Sequence, residues 1–314
     1  MTALSRRRFL TISASVASAA ALSAHPALAA ASAVPVSTWR GTAIGSAARI
    51  TLAHPQAGSL FTGIEAELDR LENIFSLYRS GSALSRLNRD GILRDPAPEL
   101  LECLSIAGGM WRATEGAFDP TVQPLWAAYA RASVEGRTPD AGELAQRLAF
   151  TGWPLVELEA DAIRLTRKGA GLTLNGIAQG YIADRIAAWL SGEGLTDILI
   201  DTGEIRALGG QPGGGDWDVT LAGNRGSHRL REQALATSAP LGTTFDQAGK
   251  TGHILDPRTG LPARQDWAQV SVTAPAAALA DALSTAFCLM NRQEIDAALK
   301  AVPSARLVDL APGR

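Results

Sequence analysis

The sequence predicts an α+β domain in which mixed sheet regions are flanked by helices. Three observations carry that prediction. A strand-like alternation near the start runs straight into an amphipathic helix, and a second helix-period run leads into a strand region in mid-chain. Near the end, strand runs broken by Gly and Pro precede a third long helix. No internal repeat at a fixed period replaces this order.

Residues 1–29 stand apart from the rest. Ser5-Arg6-Arg7-Arg8-Phe9-Leu10 precedes an uncharged Ala/Ser-rich stretch ending in Ala27-Leu28-Ala29, the pattern of a twin-arginine export signal with a small-residue cleavage site. The apolar stretch is too short and too weakly hydrophobic for a stable membrane span, which takes about 20 strongly apolar residues. No cysteine follows the cleavage pattern, so a lipid anchor is not indicated. The expected location is the periplasm or another exported compartment, with residues 30–314 as the functional domain. Because twin-arginine export carries proteins already folded, it favours an enzyme with a bulky cofactor.

In the remainder, Ala47–Leu52 alternates as a strand, and Leu60, Ile64, Leu68, Leu71 and Phe75 recur at helical spacing from Gly58 to Phe75. Pro98–Thr114 reads as a helix stopped at Gly116. Short strands follow at Leu155–Leu158 and Ile163–Thr166. Gly176–Leu190 is a helix with Ile177, Tyr181, Ile182, Ile186 and Leu190 on one face, and Asp197–Asp201 begins a strand region. Gly209–Gly215, with Pro212 inside, is a loop. Trp217–Leu221 and Gln269–Thr273 are strand-like, and Ala276–Met290 is the last long helix.

The chain of 314 residues is long enough to bury a substantial core. Its 29 Lys and Arg against 31 Asp and Glu leave a net charge of −2, so no charge field points to nucleic acid or acidic lipid. Cys103 and Cys288 lie in apolar helix-like runs and read as small core residues.

Several familiar motifs fail on inspection. Gly249-Lys250-Thr251 resembles the end of a phosphate-binding loop, but the glycine that motif needs five residues earlier is Thr244. Counted from Gly213, the third glycine of a dinucleotide-binding turn falls on Asp218. No Gly-x-Ser-x-Gly elbow is present, and His54, His228 and His253 are too scattered for a zinc motif.

One constellation survives. Asp281 is the only charged residue in Ala274–Met290 and lies well inside the helix, where a carboxylate cannot serve as a cap. Thr285 follows at i+4 and Ser284 at i+3, so hydroxyl oxygens lie close to the carboxylate on the helix surface, a donor set that suits magnesium. Spacing alone equally accommodates, and slightly favours, an arginine partner for Asp281 and a back-bond from Thr285 to a helix carbonyl. Gly252–Gly260 gathers His253, Asp256 and Arg258 into a turn, either a substrate-facing loop or a purely local Asp-Pro-x-Thr-Gly turn.

Five blocks follow in order: Phe75-Ser76-Leu77-Tyr78-Arg79 with Ser82–Asn88; Gly116-Ala117-Phe118-Asp119-Pro120-Thr121-Val122; Leu174-Asn175-Gly176-Ile177-Ala178-Gln179-Gly180 through Asp184; His253-Ile254-Leu255-Asp256-Pro257-Arg258-Thr259-Gly260; and Ala280-Asp281-Ala282-Leu283-Ser284-Thr285-Ala286. Together they resemble the FAD:protein FMN transferase family, ApbE, over nearly all of the chain beyond the signal. The resemblance implies a compact, two-lobed, T-fold-related architecture. It also implies magnesium-dependent transfer of the FMN half of FAD to a Thr or Ser hydroxyl of a target protein, with release of AMP. The target would be an exported or membrane-associated flavoprotein.

By the same resemblance, Asp281 and Thr285, with Ser284 beside them and a backbone oxygen at Gly176 or its neighbour, would hold magnesium. Tyr78 would pack on the flavin ring, and Ala117, Phe118 and Asp119 would line the FAD site. Thr173 and Gln179 fall on two further ligand-contacting positions, and Ile44 and Leu255 on apolar ones. His253, with Asp281, would take part in catalysis near the phosphates. Family members commonly carry Lys or Glu at the position of Gln179, Gly at Asn175 and Asp at Thr173, and show a paired glycine where this chain reads Asp201-Thr202-Gly203-Glu204. Two alternatives stay open: hydrolysis of FAD to FMN and AMP, and a non-catalytic exported flavin-binding protein.

Overall fold

A computed structural model describes residues 34–313, so the twin-arginine segment lies outside the described residues. The centre is a seven-stranded sheet built from β1 (Val36–Ala43), β2 (Ser46–Ala53), β6 (Ile198–Asp201), β7 (Ile205–Leu208), β10 (Ala234–Ser238), β11 (Trp267–Ala274) and β12 (Arg306–Pro312), in the spatial order β1-β2-β6-β7-β10-β11-β12. Every pairing in it is antiparallel. The α+β class stands as predicted, and what the sequence left as mixed sheet regions is antiparallel throughout.

The sheet buries both faces, and residue alternation explains how. Ile198 and Ile200 point into the main core with Ala234 and Ala236, whereas Leu199, Ile205, Ala207 and Leu235 point the other way. On that second face they meet Trp217, Val219 and Leu230 of a small hairpin, β8 (Trp217–Thr220) and β9 (Ser227–Leu230). The first face is covered by α6 (Ala178–Gly192) and α7 (Ala277–Phe287), which pack on each other as well. α1 (Ala57–Phe75) adds Leu60, Ile64, Leu68, Leu71 and Phe75 to the same core, the residues its helical period singled out. A three-stranded sheet, β3 (Ile92–Arg94), β5 (Ala162–Leu165) and β4 (Val156–Leu158), packs against α2 (Ala83–Asp90).

α3 (Pro98–Ala113) begins with Pro at its first position and ends where Gly116 turns the chain. α4 (Gln123–Val134) and α5 (Ala141–Leu148) follow, and α8 (Arg292–Ala301) lies before β12. Leu125, Trp126 and Tyr129 of α4 pack with Phe245 and Leu255, and the Tyr129 hydroxyl donates to the Gly260 carbonyl at 3.1 Å. This small cluster holds the loop carrying His253 against the body of the domain. Cys103 and Cys288 are buried and unpaired, as expected, and burial pushes both thiols up. Among the described residues no helix is long and apolar enough to cross a membrane.

Candidate functional site

A pocket opens where the β1–β2 turn, the segment after α1, the turn before α4, the start of α6, the β6–β7 turn, the end of β10, the 253–257 loop and α7 converge. Ile44, Tyr78, Ala117, Phe118, Asp119, Thr173, Gly176, Gln179, His253, Leu255, Asp281 and Thr285 all line it. These positions span the chain from its first strand pair to its seventh helix, and folding alone gathers them.

Local chemistry explains each placement. Ile44 has φ of 46°, a conformation that a β-branched residue rarely adopts, and its N–H donates to Glu72 Oε1 at 2.9 Å. The strained turn thus presents an apolar side chain to the pocket. Tyr78 is set by Ser76, whose Oγ accepts from the N–H groups of Tyr78 and Arg79 at 3.0 and 3.2 Å. Thr173 follows a backbone stretch clasped by Asn88, whose side chain donates to the Leu172 carbonyl at 2.8 Å and accepts from the Leu172 N–H at 2.7 Å. Gln179 donates to Ser46 Oγ at 2.7 Å, tying the start of α6 to the β1–β2 turn.

Asp119 is buried, yet protein donors surround it. Oδ1 accepts from Thr121 N–H at 2.8 Å and Thr121 Oγ1 at 2.5 Å, and Oδ2 accepts from Trp153 N–H at 2.9 Å. The Trp111 side chain adds a further hydrogen bond. Burial still pushes this carboxyl up, with those four bonds opposing it. A carboxylate offers about four acceptor sites, so the protein has filled them. These bonds fix the Ala117–Thr121 turn from which Asp119 lines the pocket.

Asp281 is the opposite case. It is 2% exposed, and among the described residues the only hydrogen bond to its carboxylate is from Gly180 N–H, at 3.3 Å to Oδ2. No arginine or lysine among the described residues pairs with it, so the ion-pair alternative that spacing allowed does not occur. Burial raises its carboxyl to about 8; the Gly180 N–H opposes the shift and the charge of Asp184 adds to it. Thr285 Oγ1, one turn on, lies 3.3 Å from Ser238 Oγ and makes no back-bond to its own helix. A Cβ on Gly176 would sit 3.1 Å from Thr285 Oγ1, tighter than side chains ordinarily pack, so glycine lets this backbone reach the Asp281–Thr285 face.

Ser284 does not join that face. It is fully buried, its hydroxyl donates to the Asp281 carbonyl at 3.0 Å and lies 2.8 Å from Ser238 Oγ, and it is absent from the pocket lining. Positions i+3 and i+4 lie on either side of position i around a helix. The pocket is on the Thr285 side only.

Glu204 joins the site from the β6–β7 turn, which the sequence marked only as Asp201-Thr202-Gly203-Glu204 in place of a paired glycine. It is 6% exposed, Oε2 accepts from Thr237 N–H at 3.2 Å, and burial together with the nearby Asp281 charge pushes its carboxyl well up. Ser238 and Thr243 were unmarked and also line the pocket. His253 Nδ1 lies 3.0 Å from the Thr243 carbonyl, so Nδ1 carries the proton and Nε2 is left as the acceptor. Burial lowers this imidazole, and the Thr243 and Pro240 carbonyls oppose that shift. Asp256 and Arg258 pair with each other at 2.9 Å, and Asp256 organises the turn through the Arg258 and Gly260 N–H groups. Both readings of Gly252–Gly260 therefore hold in part: the turn is locally bonded, and it carries His253 to the pocket.

No group of three or more His, Cys, Asp and Glu suited to a metal occurs among the described residues. The donors at hand are instead one under-bonded carboxylate, a hydroxyl and a close backbone, all hard oxygen, which fits magnesium. Among the described residues no lysine or arginine lines the pocket.

The fold is thus an antiparallel α+β domain whose pocket gathers a buried, sparsely bonded carboxylate, a hydroxyl and a close backbone. The model described as the ApbE family matches residues 44–307, and the chain belongs to that family. Its relatives include the FAD:protein FMN transferase of Haemophilus influenzae, 29% identical over 251 residues covering 74% of this chain and 72% of the relative. That of Treponema pallidum is 29% identical over 281 residues, covering 79% and 75%. Among solved structures, the ApbE protein of Thermotoga maritima superimposes with a TM-score of 0.78 at 26% identity, covering 89% of this chain and 97% of that one. The flavin transferase ApbE of Vibrio cholerae does so with 0.74 at 25%, covering 87% and 94%.

Proposed function

We propose that this protein is a magnesium-dependent FAD:protein FMN transferase, exported by its twin-arginine segment, that modifies a Thr or Ser hydroxyl of an exported or membrane-associated flavoprotein. One observation carries the reading. The under-bonded Asp281 carboxylate and Thr285 hydroxyl face the same pocket as the residues expected to hold FAD, and among the described residues no lysine or arginine lines that pocket.

In the reaction, the acceptor oxygen forms a bond to the phosphorus on the FMN side of the pyrophosphate. The bond from that phosphorus to the AMP oxygen breaks, and AMP leaves. Such chemistry depends on position and charge neutralisation more than on covalent steps by the protein. Asp281, Thr285 and the backbone at Gly176 would hold magnesium, which when bound supplies the positive charge that the pyrophosphate otherwise lacks here. Tyr78 offers an aromatic face to the isoalloxazine, and Ile44, Phe118 and Leu255 offer apolar contact. Neutral His253, with Nε2 as acceptor, is suited to take the hydroxyl proton.

Mass spectrometry of a candidate acceptor incubated with protein, FAD and Mg2+ tests the proposal. The acceptor should gain one FMN less one water, and the gain should vanish with EDTA. An unchanged acceptor mass across periplasmic flavoproteins would overturn transfer, and AMP release without an acceptor would indicate hydrolysis instead.

A further inference from the structure

We infer that Asp184 is a positioning residue for the Asp281 carboxylate, acting from α6 through the first turn of α7; the inference rests on reading Asp281 as a cation ligand. α7 starts without a cap of its own. Ala276 precedes it with no side-chain hydrogen bond, and the first turn contains no acid. The first N–H groups of any helix lack partners inside the helix, and here Ala277 and Ala278 are completely buried.

Asp184 supplies both acceptors from the neighbouring helix. Oδ1 accepts from Ala277 N–H at 2.8 Å and Oδ2 from Ala278 N–H at 2.9 Å. Arg206 of β7 holds the carboxylate from behind, with Nε 3.3 Å from Oδ1. One turn earlier on α6, Gly180 N–H donates to Asp281, which lies one turn later on α7. The turn 180–184 thus runs antiparallel to the turn 277–281 and is bonded to it at both ends. Backbone contact makes this possible, since a Cβ on Gly180 would lie 2.3 Å from the Ala277 carbonyl oxygen.

The tie fixes where Asp281 points. Without the Asp184 end, only the long Gly180 bond of these hydrogen-bonded ties would remain between the two turns, and the buried Ala277 and Ala278 N–H groups would lose their acceptors. Asp184 also has a second, opposite influence, because its negative charge works against ionisation of Asp281. Positioning and charge therefore predict opposite signs on removal of the Asp184 charge.

The test compares the parent with Asp184→Asn, which keeps the shape but replaces one acceptor oxygen by an amide donor facing a backbone N–H. Calorimetric titration with Mg2+ alone and amide hydrogen exchange at Gly180, Ala277 and Ala278 are the readouts. The positioning role predicts Mg2+ affinity reduced about 10-fold or more, with faster exchange at all three amides. Affinity within twofold of the parent overturns it, and tighter binding overturns it in favour of a charge-only role. An Asn variant that does not fold also overturns it, making Asp184 a determinant of the fold rather than of the site. Should the parent itself take up no Mg2+, the cation reading of Asp281 fails, and exchange at Gly180 still decides the tie: acceleration supports it and an unchanged rate overturns it.

Discussion

Asp119 and Asp281 line the same pocket and are almost equally buried, at 6% and 2% exposure, yet the fold treats them in opposite ways. Asp119 receives Thr121 N–H, Thr121 Oγ1, Trp153 N–H and the Trp111 side chain. Asp281 receives one long bond from Gly180. A buried carboxylate left short of donors costs stability unless something outside the chain completes it. Partner count therefore separates a carboxylate that builds the wall from one reserved for a ligand, where burial alone does not.

The largest effect should come from Asp281→Asn. It removes a charge from the expected cation site, and turnover of FAD should fall by about 10²–10³-fold. The cation-free variant should melt above the parent at pH 7, because the folded parent must hold on its buried Asp281 a proton that the unfolded chain has released. Steady-state AMP release and calorimetric melting check the two halves.

Asp119→Ala should invert that pattern. Several donors lose their acceptor inside the protein, at a cost of about 1–3 kcal/mol for each one left unsatisfied, visible as a lower urea midpoint. Turnover at saturating FAD and Mg2+ should change far less than in Asp281→Asn. A stable but inactive Asp119→Ala variant would break the comparison.

Much of this arrangement was legible in the sequence where it depended on local periodicity. α1, α3, α6 and α7 came through within a few residues of their observed ends, because each presents an apolar face at helical spacing. β1 did not, since Val36–Ala43 is defined by its pairing with β2 and carries little alternation of its own. Glu204 escaped notice as a site residue for a related reason: its burial is produced by the β6–β7 turn closing over β10, a contact no local pattern announces. Ser284 shows the limit of helical spacing, which brings i+3 and i+4 near residue i without saying which side the pocket occupies. The role of Asp119 depended on Trp153, distant in sequence, and the carboxylate alone could not reveal it.

A pH dependence should accompany these effects. Burial raises the Asp281 carboxyl from 3.8 to about 8. Between those values the unfolded chain has released the proton while the folded chain still holds it. Stability of the cation-free protein therefore falls as pH rises through this window, by at most about 1.4 kcal/mol per pH unit, and levels off above about 8. Glu204, also raised, adds to the decline. Urea midpoints recorded from pH 5 to 8 should fall for the parent and fall less steeply for Asp281→Asn. Excess Mg2+ at pH 8 should restore much of the loss, since a bound cation favours the ionised form.

The most direct measurement is anomalous diffraction from crystals of the protein soaked with Mn2+ as a stand-in for Mg2+. A peak is expected within coordination distance of the Asp281 carboxylate, Thr285 Oγ1 and the backbone at Gly176, and none at Asp119. A peak at Asp119, or a fully occupied manganese site elsewhere with Asp281 bare, would contradict the Asp281 cation site.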